Sequence, residues 1–109
     1  MIEINKIKGV EMFAGFTAKF IHTENLSLGF WDVKKDAVLP QHSHINEQVT
    51  QVMEGELELT IDGKTAIYKA GFMVVIPPNI VHGGRAITDC KLFDIFYPTR
   101  EDYKILISQ

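Results

Sequence analysis

One stretch near the middle of the chain has the most regular pattern in the sequence and restricts the fold most strongly. Residues Glu56–Ile61 alternate between polar and apolar side chains without a break, as a half-buried antiparallel strand requires. Asp62 and Gly63 follow, a dipeptide that favours a tight hairpin turn, and Lys64–Tyr68 supplies the returning strand. The sequence therefore predicts a β-hairpin with one buried face.

The rest of the chain repeats this arrangement of short segments separated by turn residues. Proline, glycine or charged residues interrupt each segment, and no helical period lasts ten residues. The other main predicted strands are residues 1–10, Phe13–His22, Leu26–Val33, Val49–Met53, Phe72–Ile76 and Lys91–Tyr97. About eight or nine short strands at regular spacing predict an all-β sandwich or barrel.

Three segments carry further expectations. Residues 1–10 alternate loosely and are expected to form an edge strand, which would pair with a second subunit in a homodimer because open sheet edges need covering. The wholly apolar run Phe72–Ile76 predicts a strand buried on both faces. The tail Glu101–Leu106 is expected to form a turn of helix or to pack on a neighbour.

Composition and charge limit the classes of function. A chain of 109 residues with 46% hydrophobic residues is typical of one globular domain, here residues 1–109. The net charge of −3, without a cluster of Lys and Arg, argues against nucleic acid as a partner but allows a small anionic ligand. The one cysteine, Cys90, excludes an internal disulfide, and no apolar run could span a membrane. We therefore expect a cytoplasmic protein in which Cys90 is a small buried residue.

Two of the four histidines, His42 and His44, stand one residue apart. In an extended segment their side chains point the same way, and Gln48 shares their parity whereas Glu47 does not. The pattern predicts two imidazoles and an amide oxygen on one face, which is part of a metal shell. The alternatives are a polar loop with incidental histidines, or a changed register that replaces Gln48 by Glu47.

Two spaced patterns in the chain resemble the two motifs of the cupin superfamily. The matching positions are His42, His44, Gln48 and Gly55 in the first motif, and Gly71, Pro77 and His82 in the second. The resemblance implies a single-domain jelly-roll barrel, also called a double-stranded β-helix. It also implies a metal shell made of His42, His44, Gln48 and His82. The remaining histidine, His22, lies outside both motifs and is expected on a strand surface.

The first motif departs from the superfamily pattern at Gln48, where glutamate is usual; Asn79 and Ala86 are smaller departures in the second motif. Three neutral imidazoles and a neutral amide add no charge to a divalent ion, so the metal stays more Lewis acidic than in a shell with glutamate. Zn²⁺, Ni²⁺, Fe²⁺ and Mn²⁺ all fit such ligands. We therefore expect one divalent transition metal per chain, without a preference among these four.

Asp94 is out of place in the apolar strand that ends at Tyr97, because it shares a face with Leu92 and Phe96. A carboxylate in such a setting must face a cavity, be paired or be protonated. If the face is the barrel interior, Asp94 points into the metal-binding cavity and is a candidate general acid or base. Burial would raise its pKa, whereas a nearby cation would lower it. The alternative is an aspartate at an edge strand or an interface.

Arg100 is a candidate clamp for a substrate carboxylate at the mouth of this cavity. The alternative is a solvated ion pair with Glu101 or Asp102.

The run from Asp94 to Tyr103 also resembles one subgroup, the KdgF-type cupins of pectin and alginate degradation, whose first motif carries glutamine as well. The resemblance implies an enzyme that converts 4,5-unsaturated monouronates to linear 4-deoxy-5-keto uronates. It assigns acid–base catalysis to Asp94, catalysis and substrate binding to Arg100, and packing against the substrate to Phe96. Two alternatives stay open: a small metal-dependent dioxygenase or isomerase, and a non-catalytic cupin that binds a sugar or effector.

Overall fold

The computed structural model describes residues 1–108, which form ten strands, a short 3₁₀ helix and a C-terminal helix. The 3₁₀ helix is Ile4–Lys6; the strands are β1 Val10–Phe13, β2 Phe16–His22, β3 Ser27–Val33, β4 Val38–His42, β5 Glu47–Glu54, β6 Glu56–Ile61, β7 Lys64–Lys69, β8 Met73–Ile76, β9 His82–Ala86 and β10 Cys90–Tyr97; the helix is α1 Glu101–Ser108. Neither helix in this part of the chain is long and apolar enough to cross a membrane.

The strands form two antiparallel sheets that pack face to face. The order is β1-β2-β3-β10-β5-β8 in the six-stranded sheet and β4-β9-β6-β7 in the four-stranded sheet. Aromatic and aliphatic side chains from both sheets, among them Phe16, Trp31, Leu57 and Leu92, form one core between them. The expected all-β jelly roll is confirmed by this arrangement, whereas the homodimer stays a prediction.

The predicted hairpin is present as β6 and β7, with Ile61 opposite Lys64. Asp62 and Gly63 both have positive φ values, 51° and 76°, as a type I′ turn requires. Leu57 and Leu59 of β6 are buried and the alternate residues are partly exposed. The strict alternation in the sequence therefore reports correctly which face of this strand is inside.

Two strand predictions near the N-terminus are wrong. The segment 1–10 contains the 3₁₀ helix Ile4–Lys6, and only Val10 belongs to a strand. The predicted strand Phe13–His22 is present only from Phe16 as β2, because Phe13 ends β1 and a turn at Gly15, whose φ is +81°, separates the two strands. That backbone conformation is unfavourable for residues with a side chain, so the glycine allows the chain to reverse. The edge strand expected near the N-terminus is therefore β1, displaced along the chain.

The prediction that Phe72–Ile76 is buried on both faces is also wrong. Met73 and Val75 are 58% and 56% exposed, and Ile76 is the buried residue of this strand. The reason is topological, because β8 pairs only with β5 at the outer edge of the six-stranded sheet. An apolar run in the sequence does not distinguish an edge strand from a central one.

The tail, expected to form a turn of helix or to pack on a neighbour, is helical as α1. It follows Arg100 directly and carries Tyr103, which is 7% exposed and joins the core. Tyr103 therefore holds the helix against the core.

Substitution of two glycines tests the turn between β5 and β6. Gly55 and Gly71 have nearly equal φ values, +88° and +90°. A Cβ at Gly55 would collide with the backbone oxygen of Asp89, and it would lie 2.7 Å from Oγ1 of Thr88; a Cβ at Gly71 would meet open space. Gly71→Ala should cost ~1–2 kcal/mol from backbone strain alone, and Gly55→Ala at least about 2 kcal/mol more. Thermal unfolding followed by circular dichroism measures both; equal shifts would contradict the steric account.

Candidate metal centre

The two cupin motifs bring four side chains together between the sheets. His42 ends β4, His44 follows in the turn before β5, Gln48 lies on β5, and His82 begins β9. The candidate coordinating atoms of the three histidines all lie within 4.8 Å of one another. The parity argument assumed that the segment from His42 to Gln48 is one extended strand, and the structure shows that it is not. β4 ends at His42, and the chain bends at Ile45 and Asn46, after His44, before β5 begins.

Each of the three histidines is held by its Nδ1 atom. The Nδ1 atoms of His42 and His82 lie 2.9 Å from the carbonyl oxygens of Pro40 and Ile80. In His44 the corresponding distance, to the carbonyl oxygen of Asn46, is 3.0 Å. A carbonyl oxygen only accepts, so each Nδ1 carries a proton and the neutral ring has its lone pair on Nε2. This arrangement is the usual one for histidines that bind a metal.

The unprotonated nitrogens of the histidines and the amide oxygen of Gln48 are arranged to bind a cation. Nε2 of His82 is buried and has no hydrogen-bond partner among the described residues. Nε2 of His44 lies 2.9 Å from Oε1 of Gln48. With the proton of neutral His44 on Nδ1, these two atoms face each other with lone pairs, which repel unless a proton or a metal ion lies nearby. The donor set therefore suits a divalent transition metal held by His42, His44, His82 and Gln48.

Burial keeps two of these imidazoles neutral. It lowers the pKa of His82 to about 4, and the neighbouring histidines and Arg100 act in the same direction, against the hydrogen bond to Ile80. Burial is also the largest cause that lowers the pKa of His44, and Arg100 adds to it. Neutral imidazoles are the form that binds metal.

Asp94 lies inside the barrel, as the cavity interpretation predicted. It is 5% exposed, and β10 lies between β3 and β5 in the sheet, so the edge-strand alternative is wrong. Burial raises the pKa of Asp94 to about 6, although the Thr50 hydroxyl, the Trp31 indole and Arg100 each oppose the rise. The carboxyl group is therefore near the midpoint of its titration under mildly acidic conditions.

Arg100 is 4% exposed at the same cavity. Its Nε and Nη2 atoms donate to the two carboxylate oxygens of Asp102 at 3.0 and 2.8 Å, which is the ion pair held open as an alternative. The guanidinium also lies 3.7 Å from the ring centre of Tyr103 and 4.8 Å from that of Phe96. Burial opposes the positive charge, but the hydrogen bonds and charge of Asp102 outweigh it and leave the pKa of Arg100 raised. Arg100 is thus both paired and part of the cavity wall.

Phe96 is 2% exposed and packs edge-on against His44, with ring centres 5.8 Å apart. It therefore connects the metal-ligand cluster to Arg100.

Three residues considered in the sequence lie away from the cluster. Glu47 is exposed, so Gln48 and not Glu47 faces the histidines. His22 is on β2, where its Nδ1 lies 2.7 Å from the hydroxyl of Ser27. Cys90 is buried, burial raises the pKa of its thiol, and it lines the core as expected.

Sequence reasoning missed Trp31, Thr50 and Tyr103. Thr50 and Trp31 lie on strands that flank β10, and Gly29 lies directly opposite Asp94. A Cβ at Gly29 would be 2.9 Å from the indole nitrogen of Trp31. The alternation in β5 places Thr50 on the same face as Gln48, and this parity could have identified Thr50 from the sequence as a neighbour of the site.

Comparisons with known proteins agree with the fold and the cluster. The model of the Cupin domain family matches residues 29–96. The chain is 32% identical over 71 residues to the pectin degradation protein KdgF of Dickeya dadantii (strain 3937), a match that covers 63% of this chain and 64% of that protein, less than two thirds of its length.

Two solved structures have the same fold across nearly the whole chain. An RmlC-like cupin from Shewanella frigidimarina NCIMB 400 superposes with a TM-score of 0.89 at 27% identity, covering 94% of both chains. KdgF from Halomonas sp. superposes with a TM-score of 0.88 at 24% identity, covering 94% of this chain and 96% of that one.

The family match covers well over half of the chain, and the chain therefore belongs to the cupin family. Within that family it is a small cupin that resembles KdgF.

Removal of one histidine tests the metal centre. His82→Ala deletes a buried ligand, so we expect the purified variant to hold less than about a tenth of the metal bound by the wild type. His22→Ala is the matched control, because His22 lies outside the cluster. Plasma mass spectrometry measures the metal content of both variants. An equal loss of metal from His82→Ala and His22→Ala would contradict the assigned shell.

The buried carboxyl makes stability depend on pH. Its folded pKa of about 6 lies above its ordinary value of 3.8, so the protonated form favours folding and that contribution disappears as pH rises through 6. Asp94→Asn cannot ionise. The free energy of unfolding of Asp94→Asn minus that of the wild type should therefore increase by ~2 kcal/mol from pH 4.5 to pH 7.5, because only the wild type loses stability over this range. Urea unfolding in the presence of a chelator measures this, and a pH-independent difference would refute the assignment.

Proposed function

We propose that this protein is a metal-dependent enzyme that opens and ketonises 4,5-unsaturated monouronates, the products of pectin and alginate lyases. The products would be linear 4-deoxy-5-keto uronates. The observation that carries the proposal is the placement of buried Asp94 and Arg100 in the wall of one cavity with His42, Gln48 and His82. The similarity to a pectin degradation protein supports the same substrate class.

The substrate is a cyclic hemiacetal whose ring oxygen also belongs to an enol ether. It has a carboxylate on the carbon next to that oxygen. Once bound by the three histidines and Gln48, a divalent metal supplies a Lewis acid that stabilises negative charge on the substrate oxygens.

Asp94 would accept and return the proton that moves in this reaction. As a base it would take the proton of the anomeric hydroxyl while the bond from C1 to the ring oxygen breaks, which leaves an aldehyde at C1 and an enolate at C5. Asp94 or a water molecule would then give a proton to C4, so that the net reaction is an isomerisation. A pKa of about 6 suits both roles. At pH 7 the carboxyl group is mostly ionised and can accept a proton, and its pKa is close enough to 7 for the protonated form to serve as an acid.

Arg100 would hold the substrate carboxylate. Asp102 and the rings of Phe96 and Tyr103 fix the direction of its guanidinium before the substrate binds. A buried and prepositioned arginine loses little side-chain entropy when it binds a carboxylate. A second cavity, lined by Pro40, Ser43 and His44 together with Arg100, lies beside this end of the site.

The test is the ultraviolet absorbance of added 4,5-unsaturated galacturonate, because ketonisation removes its conjugated double bond. We expect metal-loaded protein to accelerate the loss and a chelator to abolish it. Asp94→Asn should retain metal but lose about 10²–10⁴-fold in turnover. Asp32→Asn, an exposed carboxylate on the other face of the same sheet, serves as the control that keeps activity.

Near wild-type turnover of Asp94→Asn would refute the role of Asp94. If the wild type binds metal but the absorbance decays as in buffer alone, the uronate substrate is wrong. Oxygen consumption on an aromatic or diketone substrate would then support the dioxygenase alternative, and binding of a sugar that is recovered unchanged would support the non-catalytic one.

A further inference from the structure

We infer that Thr50 is a positioning residue that fixes which end of the Gln48 amide faces the metal, and that Asp94 sets the direction of its hydroxyl. The inference rests on the metal centre of the proposed function but not on the uronate reaction. No sequence motif assigns a role to Thr50.

A glutamine in a metal shell has an orientation problem that a glutamate lacks. The two oxygens of a carboxylate are equivalent, so either one binds a cation. The two ends of an amide are not, because Oε1 offers lone pairs and the Nε2 group offers only hydrogens. A shell that contains Gln48 therefore needs a neighbour that distinguishes the two ends.

The hydrogen bonds around Thr50 supply that distinction. The Thr50 hydroxyl oxygen lies 2.6 Å from Oδ1 of Asp94. An ionised carboxylate only accepts, so the hydroxyl must donate its one proton to Asp94. Its oxygen is then left to accept, and Nε2 of Gln48 donates to it at 2.9 Å. The opposite end of the amide, Oε1, consequently faces Nε2 of His44.

Strand register builds this relay. Gln48 and Thr50 are two residues apart on β5, so they share the inner face, and Thr50 is directly opposite Asp94 on β10. The exposed fractions of Gln48, Thr50 and Asp94 are 9%, 3% and 5%. With so little solvent access, water does not readily replace a lost hydrogen bond, and the direction imposed by the carboxylate is retained through two bonds.

Two substitutions at Thr50 test the inference in metal titrations without substrate. Thr50→Val keeps the branched shape but removes the hydroxyl, so the amide loses its preferred direction. We expect the affinity for Zn²⁺ or Ni²⁺, measured by competition with a chelator, to fall about 10–100-fold. Thr50→Ser keeps the hydroxyl and should stay within about threefold of the wild type.

A second background separates orientation from packing. In Gln48→Glu, either carboxylate oxygen binds the metal, so adding Thr50→Val should weaken affinity by less than about threefold. A similar loss in both backgrounds would show that Thr50 acts through packing and would overturn the inference. No loss in either background would also overturn it. Circular dichroism of the wild type and the four variants checks that each is folded.

The outcomes also separate this inference from the proposed function. If the affinities follow the expected pattern but no uronate turns over, only the uronate reaction is wrong. If the wild-type protein does not bind either metal, the metal centre and the role of Thr50 fall together.

Discussion

The cost of burying polar groups inside a small barrel is the constraint on which the rest of this structure depends. Three imidazoles, an amide, a hydroxyl and a carboxyl group lie between two sheets whose other inward side chains are largely apolar. His82, Gln48, Thr50 and Asp94 have almost no contact with water, so neighbouring groups decide the direction in which each of them points. Backbone carbonyls hold the histidines, and Asp94 through Thr50 holds Gln48. The remaining lone pairs face one another, which is the condition that favours a bound cation.

The charges around the cavity are separated in a way that preserves the reactivity of Asp94. Arg100 lines the same cavity and lowers the pKa of that carboxyl, but burial has the larger effect and the pKa is still raised. Asp102 accepts hydrogen bonds from Nε and Nη2 of Arg100, so these two donors are paired with a carboxylate other than Asp94. A direct salt bridge between Arg100 and Asp94 would hold the latter ionised and unable to keep a proton. The helix that carries Asp102 therefore affects the chemistry of the site as well as packing against the core through Tyr103.

Local patterns in the sequence predicted the parts of the fold that depend on local physics. The hairpin around Asp62 and Gly63 follows from turn geometry and strict alternation, and the candidate metal-ligand cluster matches the spacing of the two cupin motifs. The wrong predictions concern segments whose structure depends on contacts with other parts of the chain. The apolar run at β8 gave no sign that it lies at a sheet edge, because composition does not encode strand order. The division of Phe13–His22 at Gly15 was missed because strand formers continue on both sides of the turn.

By itself, the sequence determined the class of the fold, the four candidate metal ligands and the anomaly of a carboxylate among apolar residues. It could do so because alternation and motif spacing are properties of the chain over a few residues. Only the tertiary structure decided that Asp94 lies inside the barrel, that Arg100 pairs with Asp102 while lining the cavity, and that Thr50 stands between Asp94 and Gln48. These relations join residues of different strands and of the C-terminal helix. Their hydrogen bonds and burial arise only when strand register and sheet packing place those segments together.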